Sequence, residues 1–488
     1  MDGGGVGAVA DRLRARLGPE VLVRDPVELA TYECDGLGHL RAQPGLVVLA
    51  RDRTDVAAAV TECARAGVPF VARGAGTGLS GGALPRADGV LIVLAKLRRV
   101  VEIDLDSERA VLEPGVANLA ITQAVAADGY RYAPDPSSQQ VCSIGGNVAE
   151  NSGGAHCLKH GFTANHVTGL EIVTPDGGTV RLGGKAVDPP GYDLLGAFVG
   201  SEGTLGIATE VTVRLVRSPE AVQTVLAGFA DTDAAGRAVA AIVADGLLPA
   251  AIEMMDALAV TAAEAAVACG YPSGAGAVLI VEVDGPAGEV AADVAEVESH
   301  CLAAGAFELR RAEREADRAQ VWKGRKSAFA AVGRISPDYL VQDGVVPRTA
   351  LPEVLAGITR LGAEHGIRVA NVFHAGDGNL HPLVLFDADR PGELEAAEEV
   401  SHQILALCLA HGGSITGEHG VGVDKATAMP SMFSADDLDT MQMLRCAFDP
   451  DQVCNPGKIF PTPRLCGEAP GRRRGVHPLV EQGLAELY

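Results

Sequence analysis

Three histidines and one glutamate stand where they could hold a metal ion and move a proton. His374 and His381 flank Ala375-Gly376-Asp377-Gly378-Asn379-Leu380. Gly and Asn accept positive φ, so Gly-Asp-Gly-Asn reads as a tight reversal. Apolar runs on both sides make it a turn between two strands, which sets the two imidazoles side by side. Further on, Gly417-Glu418-His419-Gly420 puts a carboxylate next to a third imidazole in a glycine-rich loop. Two His and one Glu (His374, His381, Glu418) suit a divalent ion, Zn, Mn or Fe, that keeps positions open for substrate. His419 is then left as a base. A His pair alone is a weak motif, but the second cluster and the glycine loops below strengthen it. An anionic substrate also needs a cation. Trp322-Lys323-Gly324-Arg325-Lys326 supplies a local basic patch. Arg325 is the best candidate, because a guanidinium can clamp a carboxylate with two parallel bonds. Lys323 and Lys326 read as a solvated helix face.

Several elements must position these groups. Residues 53–66 read as a helix, with Thr54 as N-cap and Gly67 as stop. A strand over 68–72 runs into Arg73-Gly74-Ala75-Gly76-Thr77-Gly78-Leu79-Ser80-Gly81-Gly82. Gly76-x-Gly78-x-x-Gly81 is not a Rossmann loop, which must open a helix. Here Gly82, Pro85 and Gly89 follow, and then a strand over 90–94. No Lys-Ser/Thr follows, so it is not a Walker loop. A nest of backbone N–H groups remains, suited to a pyrophosphate. Strands over 99–104 and 109–113, a helix over 118–128, a hairpin over 168–174 and 178–182 and a strand over 207–216 complete this part. Two more glycine-rich loops, over 142–154 and 200–206, lie among them. A boundary falls near Arg217-Ser218-Pro219. Beyond it strands over 222–229, 250–254 and 277–283 alternate with helices over 233–244, 256–269 and 287–304. That predicts an α+β layer with helices on one face of a sheet. A helix over 312–332, a strand over 339–346 and helices over 352–365, 393–410 and 435–447 follow.

The 488 residues suffice for two or three domains with real cores. With 47% hydrophobic and 21% charged residues the chain is of globular composition. Forty basic against 63 acidic residues give a net charge of −23 and argue against nucleic acid as a partner. Ten scattered cysteines without a CxxC pair read as reduced thiols and offer no ordinary iron–sulfur motif. The N-terminus lacks the basic and apolar regions of a signal peptide, and no apolar run is long enough to span a bilayer. The expected location is cytoplasmic, with peripheral contact at the inner face of the membrane as a weaker alternative. The segment 461–488, with Arg472-Arg473-Arg474, reads as a solvated tail.

Taken together, these motifs resemble those of the FAD-linked 2-hydroxyacid oxidases and dehydrogenases. This family holds the FAD-binding subunits of glycolate oxidase and the D-lactate and D-2-hydroxyglutarate dehydrogenases, with the vanillyl-alcohol-oxidase-type fold. The matching stretches are Arg73–Gly82, Pro134–Ser138, Gly145–Gly154, Gly200–Gly206, Trp322–Lys326, His374–His381, Gly417–Gly420 and Asn455–Lys458. The resemblance implies an α+β fold. A FAD-binding domain of two α+β subdomains covers 1–218, a ferredoxin-like substrate domain 219–440, and a C-terminal return 441–460. It implies that Gly74, Ala75, Gly76, Thr77, Gly78, Ser80, Gly81 and Gly82 hold the pyrophosphate. Pro134, Asp135, Ser138, Ser143, Gly146, Asn147, Gly153, Gly154, Gly203 and Ile207 line the ring, ribose or adenine, and Asn455 approaches from the return. Some relatives attach flavin through a His. The loop Arg73–Gly82 has neither His nor Cys, so non-covalent FAD is expected.

The implied reaction is oxidation of a short 2-hydroxy acid, glycolate or D-lactate, to the 2-oxo acid. The metal site would hold the hydroxyl, His419 take its proton and Arg325 fix the carboxylate. Electrons would pass to a second flavoprotein-like subunit and an iron–sulfur subunit, or to a quinone. Relatives that oxidise D-2-hydroxyglutarate carry polar residues where this chain has Phe329, Val341 and Leu383. A stand-alone D-lactate dehydrogenase is the nearest rival. A flavin-free metal hydrolase and a silent flavin scaffold are the rivals from other classes.

Overall fold

The computed structural model describes residues 5–186 and 191–461; the expected tail, apart from its first residue, lies outside them. Three sheets organise the chain. The first has four strands in the order Leu22–Val23, Leu46–Leu49, Val90–Val93, Phe70–Arg73, and the last three run parallel. The helix Arg53–Ala66 connects two of these strands and packs beside the N-terminal helix Val6–Leu17. Asp52, not Thr54, caps Arg53–Ala66 by accepting from Thr54 and Asp55 N–H at 2.8 and 3.1 Å. Thr54 already lies inside the first turn, and its hydroxyl donates to Asp52 at 2.6 Å. The C-terminal stretch returns here: Phe70 N–H donates to Val453, and Asn455 N–H to Phe70, both at 2.8 Å.

The second sheet is antiparallel, in the order Val100–Asp104, Arg109–Leu112, Ile207–Arg214, Val167–Val173, Thr179–Gly183. The expected loop over 142–154 contains a helix, Ile144–Glu150, capped by Ser143. Its glycines serve close packing rather than an irregular backbone: a Cβ on Gly145 would stand 2.6 Å from Pro114.

The third sheet has nine strands, and its central strands Ala221–Phe229, Ala251–Asp256 and Ala277–Gly285 are antiparallel neighbours. Helices cover both faces, which corrects the one-face expectation. Thr232–Ala244, Ala287–Ala303, Leu351–His365 and Glu393–Ala410 pack with Val225, Ile252 and Leu279. Ala257–Val267 and Glu315–Val332 pack with Leu226, Met255 and Ile280 on the other face. The strand sequences carry this signal as consecutive apolar residues, Val225-Leu226, Met254-Met255 and Val278-Leu279-Ile280-Val281, rather than strict alternation. The expected strand 339–346 is two pieces, Asp338–Val341 and Gly344–Val345, broken at Gln342-Asp343. The edge strand Glu308–Ala312, rich in charge, was not anticipated.

Eight cysteines are free thiols, but Cys446 is disulfide-bonded, which departs from the all-thiol expectation. It is half-buried near the end of Ala435–Phe448, and its sequence spacing carried no sign of pairing. Among the described residues no helix is long and apolar enough to cross a membrane.

Candidate active site

The turn after His374 is formed as its residues dictate. Strand Arg368–His374 ends at His374, Asn379 pairs with it, and Gly378 takes φ +81°. His381 follows one step before strand Pro382–Phe386. The two imidazoles meet edge to face, with centroids 5.0 Å apart. Glu418 Oε1 lies 3.4 Å from His374 Nε2 and 3.1 Å from His381 Nε2. A Cβ on Gly153 would collide with the Glu418 carboxylate, so that glycine leaves room for it.

Two buried carboxylates fix this cluster. Glu253, opposite His374 on the neighbouring strand, accepts from His374 Nδ1 at 2.7 Å and from Arg325 Nε at 2.7 Å. That bond turns Nε2 inward, and Nε2 is buried with no hydrogen-bond partner. Asp343, in the break between two strands, accepts from the N–H of Gly417 and His419 at 2.9 Å and from Thr416 Oγ1 at 2.6 Å. It thereby shapes the Glu418–His419 loop. Burial opposes charge at every one of these groups. At His374 it is outweighed by Glu253, which holds the imidazole well above its usual range. At Glu418 it is outweighed by the neighbouring imidazoles of His374 and His381, which hold the carboxyl well below its range. At His419 burial prevails, and with His381 and Lys425 it pushes the pKa down to about 4. His419 is therefore neutral at pH 7, able to accept a proton. Its ring stacks on His381 at 5.0 Å, and its Nδ1 is buried without a partner.

His374, His381 and Glu418 offer ligand atoms within 4.8 Å of one another. Their donor set and the orphaned His374 Nε2 fit a divalent ion. His381 also stands within the same reach of Asp343 and His419, a second possible set. Asp343, however, already accepts from the loop N–H groups, so the Glu418 set is the better prepared.

His381, Glu418 and His419 form one end of a cavity of ≈ 540 Å³. Its wall takes in Gly74, Ala75, Gly76, Thr77, Gly78, Gly82, Ser138, Ser143, Gly146, Asn147, Gly203 and Ile207, which joins the three glycine-rich stretches around one space. At Gly78 nothing lies within 4 Å of where a Cβ would stand, so the backbone is open to close approach. At Gly74 and Gly76 the absent Cβ instead avoids Ser143 and the Arg73 guanidinium. The glycine-loop backbone along the wall suits the pyrophosphate of a cofactor such as FAD.

The remaining expected residues stand behind the wall. Ser80 is buried and its carbonyl accepts from Val423 N–H at 2.9 Å, while Gly81 O accepts from Lys458 Nζ at 2.8 Å. Asn455 Nδ2 donates to Gly82 O at 3.0 Å and Glu202 O at 2.7 Å, tying two loops together. Asp135 is hydrogen-bonded to His156 Nδ1 at 2.8 Å, Gly154 packs on the Asp135 backbone, and Pro134 is buried beside them. Arg325 is buried and off the wall. Its Nη2 lies near Glu253 Oε2 but out of hydrogen-bonding line. Lys326, which its helix position marked as solvated, lines the cavity, as do Phe329 and Val341; Leu383 is buried in the core. Sequence reasoning missed Glu253, whose one signal is a carboxylate amid Ala251-Ile252 and Met254-Met255.

These sheets, the glycine-lined cavity and the histidine–carboxylate cluster define a FAD-linked oxidoreductase of the vanillyl-alcohol-oxidase and p-cresol-methylhydroxylase fold type. Residues 44–183 match the FAD binding domain family, and 218–459 match the C-terminal domain of FAD linked oxidases. The glycolate oxidase subunit GlcD of Escherichia coli K12 is 52% identical over 451 residues, 92% of this chain and 90% of GlcD. A D-lactate dehydrogenase of Anaerostipes hadrus is 32% identical, over 86% of this chain and 90% of its own. The solved 4-ethylphenol oxidase of Gulosibacter chungangensis shares the fold with a TM-score of 0.77 at 19% identity, over 94% and 97% of the two chains. The chain belongs to the FAD-linked oxidase family that includes GlcD.

Proposed function

We propose that this chain oxidises a short 2-hydroxy acid, with glycolate first and D-lactate second, to the 2-oxo acid. The observation that carries the reading is the placement of His381, Glu418 and neutral His419 at one end of the glycine-lined cavity. Non-covalent FAD, when bound, supplies the acceptor for the hydride from Cα. A divalent ion on His374, His381 and Glu418 supplies Lewis acidity at the substrate hydroxyl. His419 takes the hydroxyl proton. Lys326 on the wall favours a carboxylate at that end; Arg325, off the wall, acts through Glu253 on His374. Cys142 reaches the wall, but burial raises its pKa and keeps it an unreactive thiol.

In this reading residues 1–218 form the FAD-binding domain, 219–440 the substrate domain, and 441–460 the return that ties the glycine loops. Electrons leave to a partner subunit or a quinone, in keeping with the description of GlcD as a subunit. The test is anaerobic mixing of the yellow protein with short D- and L-2-hydroxy acids. Glycolate or D-lactate should bleach the flavin. His419→Asn should keep FAD and metal and slow bleaching by about 10²–10⁴-fold. A flavin that no hydroxy acid bleaches refutes the reading.

A further inference from the structure

The cavity wall carries a carboxyl group that the reaction above does not use. Glu150 ends the helix Ile144–Glu150 and faces the cavity. It is half-buried there. Oε1 stands 2.6 Å from where a Cβ on Gly82 would lie, against the first glycine loop. Oε2 lies against Gly420, the neighbour of His419, and is buried with no hydrogen-bond partner.

The same Gly420 position is 2.9 Å from Glu202 Oε1, so the two carboxyl groups are neighbours. Two like charges buried together cannot both ionise readily. Glu202 accepts the N–H of Val421 at 2.7 Å and of Gly422 at 2.6 Å, which favour its anion. Glu150 has no such donors. Burial, and then Glu202, raise its pKa well above the carboxylate range. Burial raises Glu202 as well, but its two backbone donors offset that, so of the pair Glu150 is the one better placed to hold a proton.

We propose that Glu150 is a cavity-wall hydrogen-bond donor to the isoalloxazine of bound FAD, favouring the reduced flavin. The proposal rests on the FAD reading of the cavity. The ring end is indicated because Glu150 abuts Gly420, and a hydride acceptor must lie near a substrate held by the His419 end. Reduction adds negative charge to the ring system. A neutral carboxyl donor stabilises that charge, whereas a carboxylate would repel it. Glu150 keeps its proton throughout: the hydride comes from the substrate, and the hydroxyl proton goes to His419.

The experiment measures the two-electron midpoint potential of the FAD-loaded protein from pH 6 to 9, with FAD affinity measured in parallel. Glu150→Gln keeps a neutral donor and should hold the wild-type potential at neutral pH. Glu150→Leu should lower the equilibrium constant for flavin reduction on the order of tenfold, the size of one hydrogen bond, about 30 mV for a two-electron couple. The proposal is overturned by a FAD-loaded Leu variant at the wild-type potential, or by a Gln variant shifted as far as Leu. If the Leu variant retains no FAD, the Gln variant decides, and a Gln potential about 30 mV below wild type overturns the proposal. A wild-type protein that binds no FAD refutes the cavity reading instead.

Discussion

Glu253 and His374 face each other across adjacent antiparallel strands, joined by a 2.7 Å hydrogen bond that solvent does not reach. With both His374 nitrogens buried, the one bonded to Glu253 determines which is left for a metal. Glu253→Gln should therefore weaken metal binding about 10–100-fold with the flavin spectrum intact. Metal content after dialysis against graded chelator measures it, and wild-type retention would show that Glu253 does not orient His374. Glu253→Ala also leaves Arg325 buried and unpaired, and should lose about 3–5 kcal/mol of stability.

The His374–His381 turn was legible because its chemistry is local: glycines, an asparagine and flanking apolar runs. The sequence could not show Glu253 beside His374, because that contact spans 121 residues and depends on strand register. The role of Asp343 was missed for another reason. The stretch 339–346 read as one strand in spite of Gln342-Asp343-Gly344 at its middle, and the loop N–H groups gathered by the Asp343 carboxylate reveal the break. Lys326 was misread because helix periodicity shows which face is polar, not what that face looks onto. The capped helix Ile144–Glu150 escaped notice because its two glycines have low helix propensity; tertiary packing on Pro114 overrides it.

The glycine loop offers a test that separates ligand approach from backbone strain. Gly76 has φ +71°, and a Cβ there would collide with Arg73, so Gly76→Val should destabilise the protein whether or not FAD binds. Gly78 has no positive φ and open space around a Cβ. Gly78→Val should keep the thermal stability of the apoprotein and lose FAD affinity. FAD titration of the two apoproteins, alongside their melting curves, checks this. Unimpaired FAD binding by Gly78→Val would mean that the cofactor does not approach that backbone.

His156 spans a charged seam. Its Nδ1 donates to Asp135 at 2.8 Å and its Nε2 to Glu282 at 3.1 Å, with the ring stacked on Trp322. Donation from both nitrogens requires the imidazolium. Burial disfavours that charge, but Asp135 and Glu282 outweigh it and raise the pKa to about 10. A raised folded-state pKa gives stability that is complete below the unfolded value of about 6.5 and is lost as pH rises through about 10. Wild-type stability should thus decline across that window by a few kcal/mol at most, and His156→Gln should decline less. Urea unfolding of both proteins at pH 6 through 10 measures the difference. Parallel curves would mean that His156 is uncharged in the folded protein.

Substrate size follows from what stands beside the cluster. Phe329 and Val341 line the cavity, with the Phe329 ring centroid 6.2 Å from that of His381. Leu383 lies in the core instead, so two of the three apolar positions bear on a ligand. Among the described residues, Lys326 is the one Lys or Arg on the wall. A monocarboxylate places its charge near that cation and its short chain against Phe329 and Val341. A dicarboxylate brings a second charge to an apolar surface, and leaving it unpaired costs several kcal/mol at least. The extra methylenes of a longer chain return only about 0.8 kcal/mol each. Glycolate and D-lactate should therefore exceed D-2-hydroxyglutarate in kcat/KM with a dye acceptor, by on the order of a hundredfold or more for a few kcal/mol. Phe329→Thr with Val341→Lys should narrow that gap by giving the second carboxylate partners. Equal use of all three acids by the wild type would remove the argument, and so would a preference for the dicarboxylate.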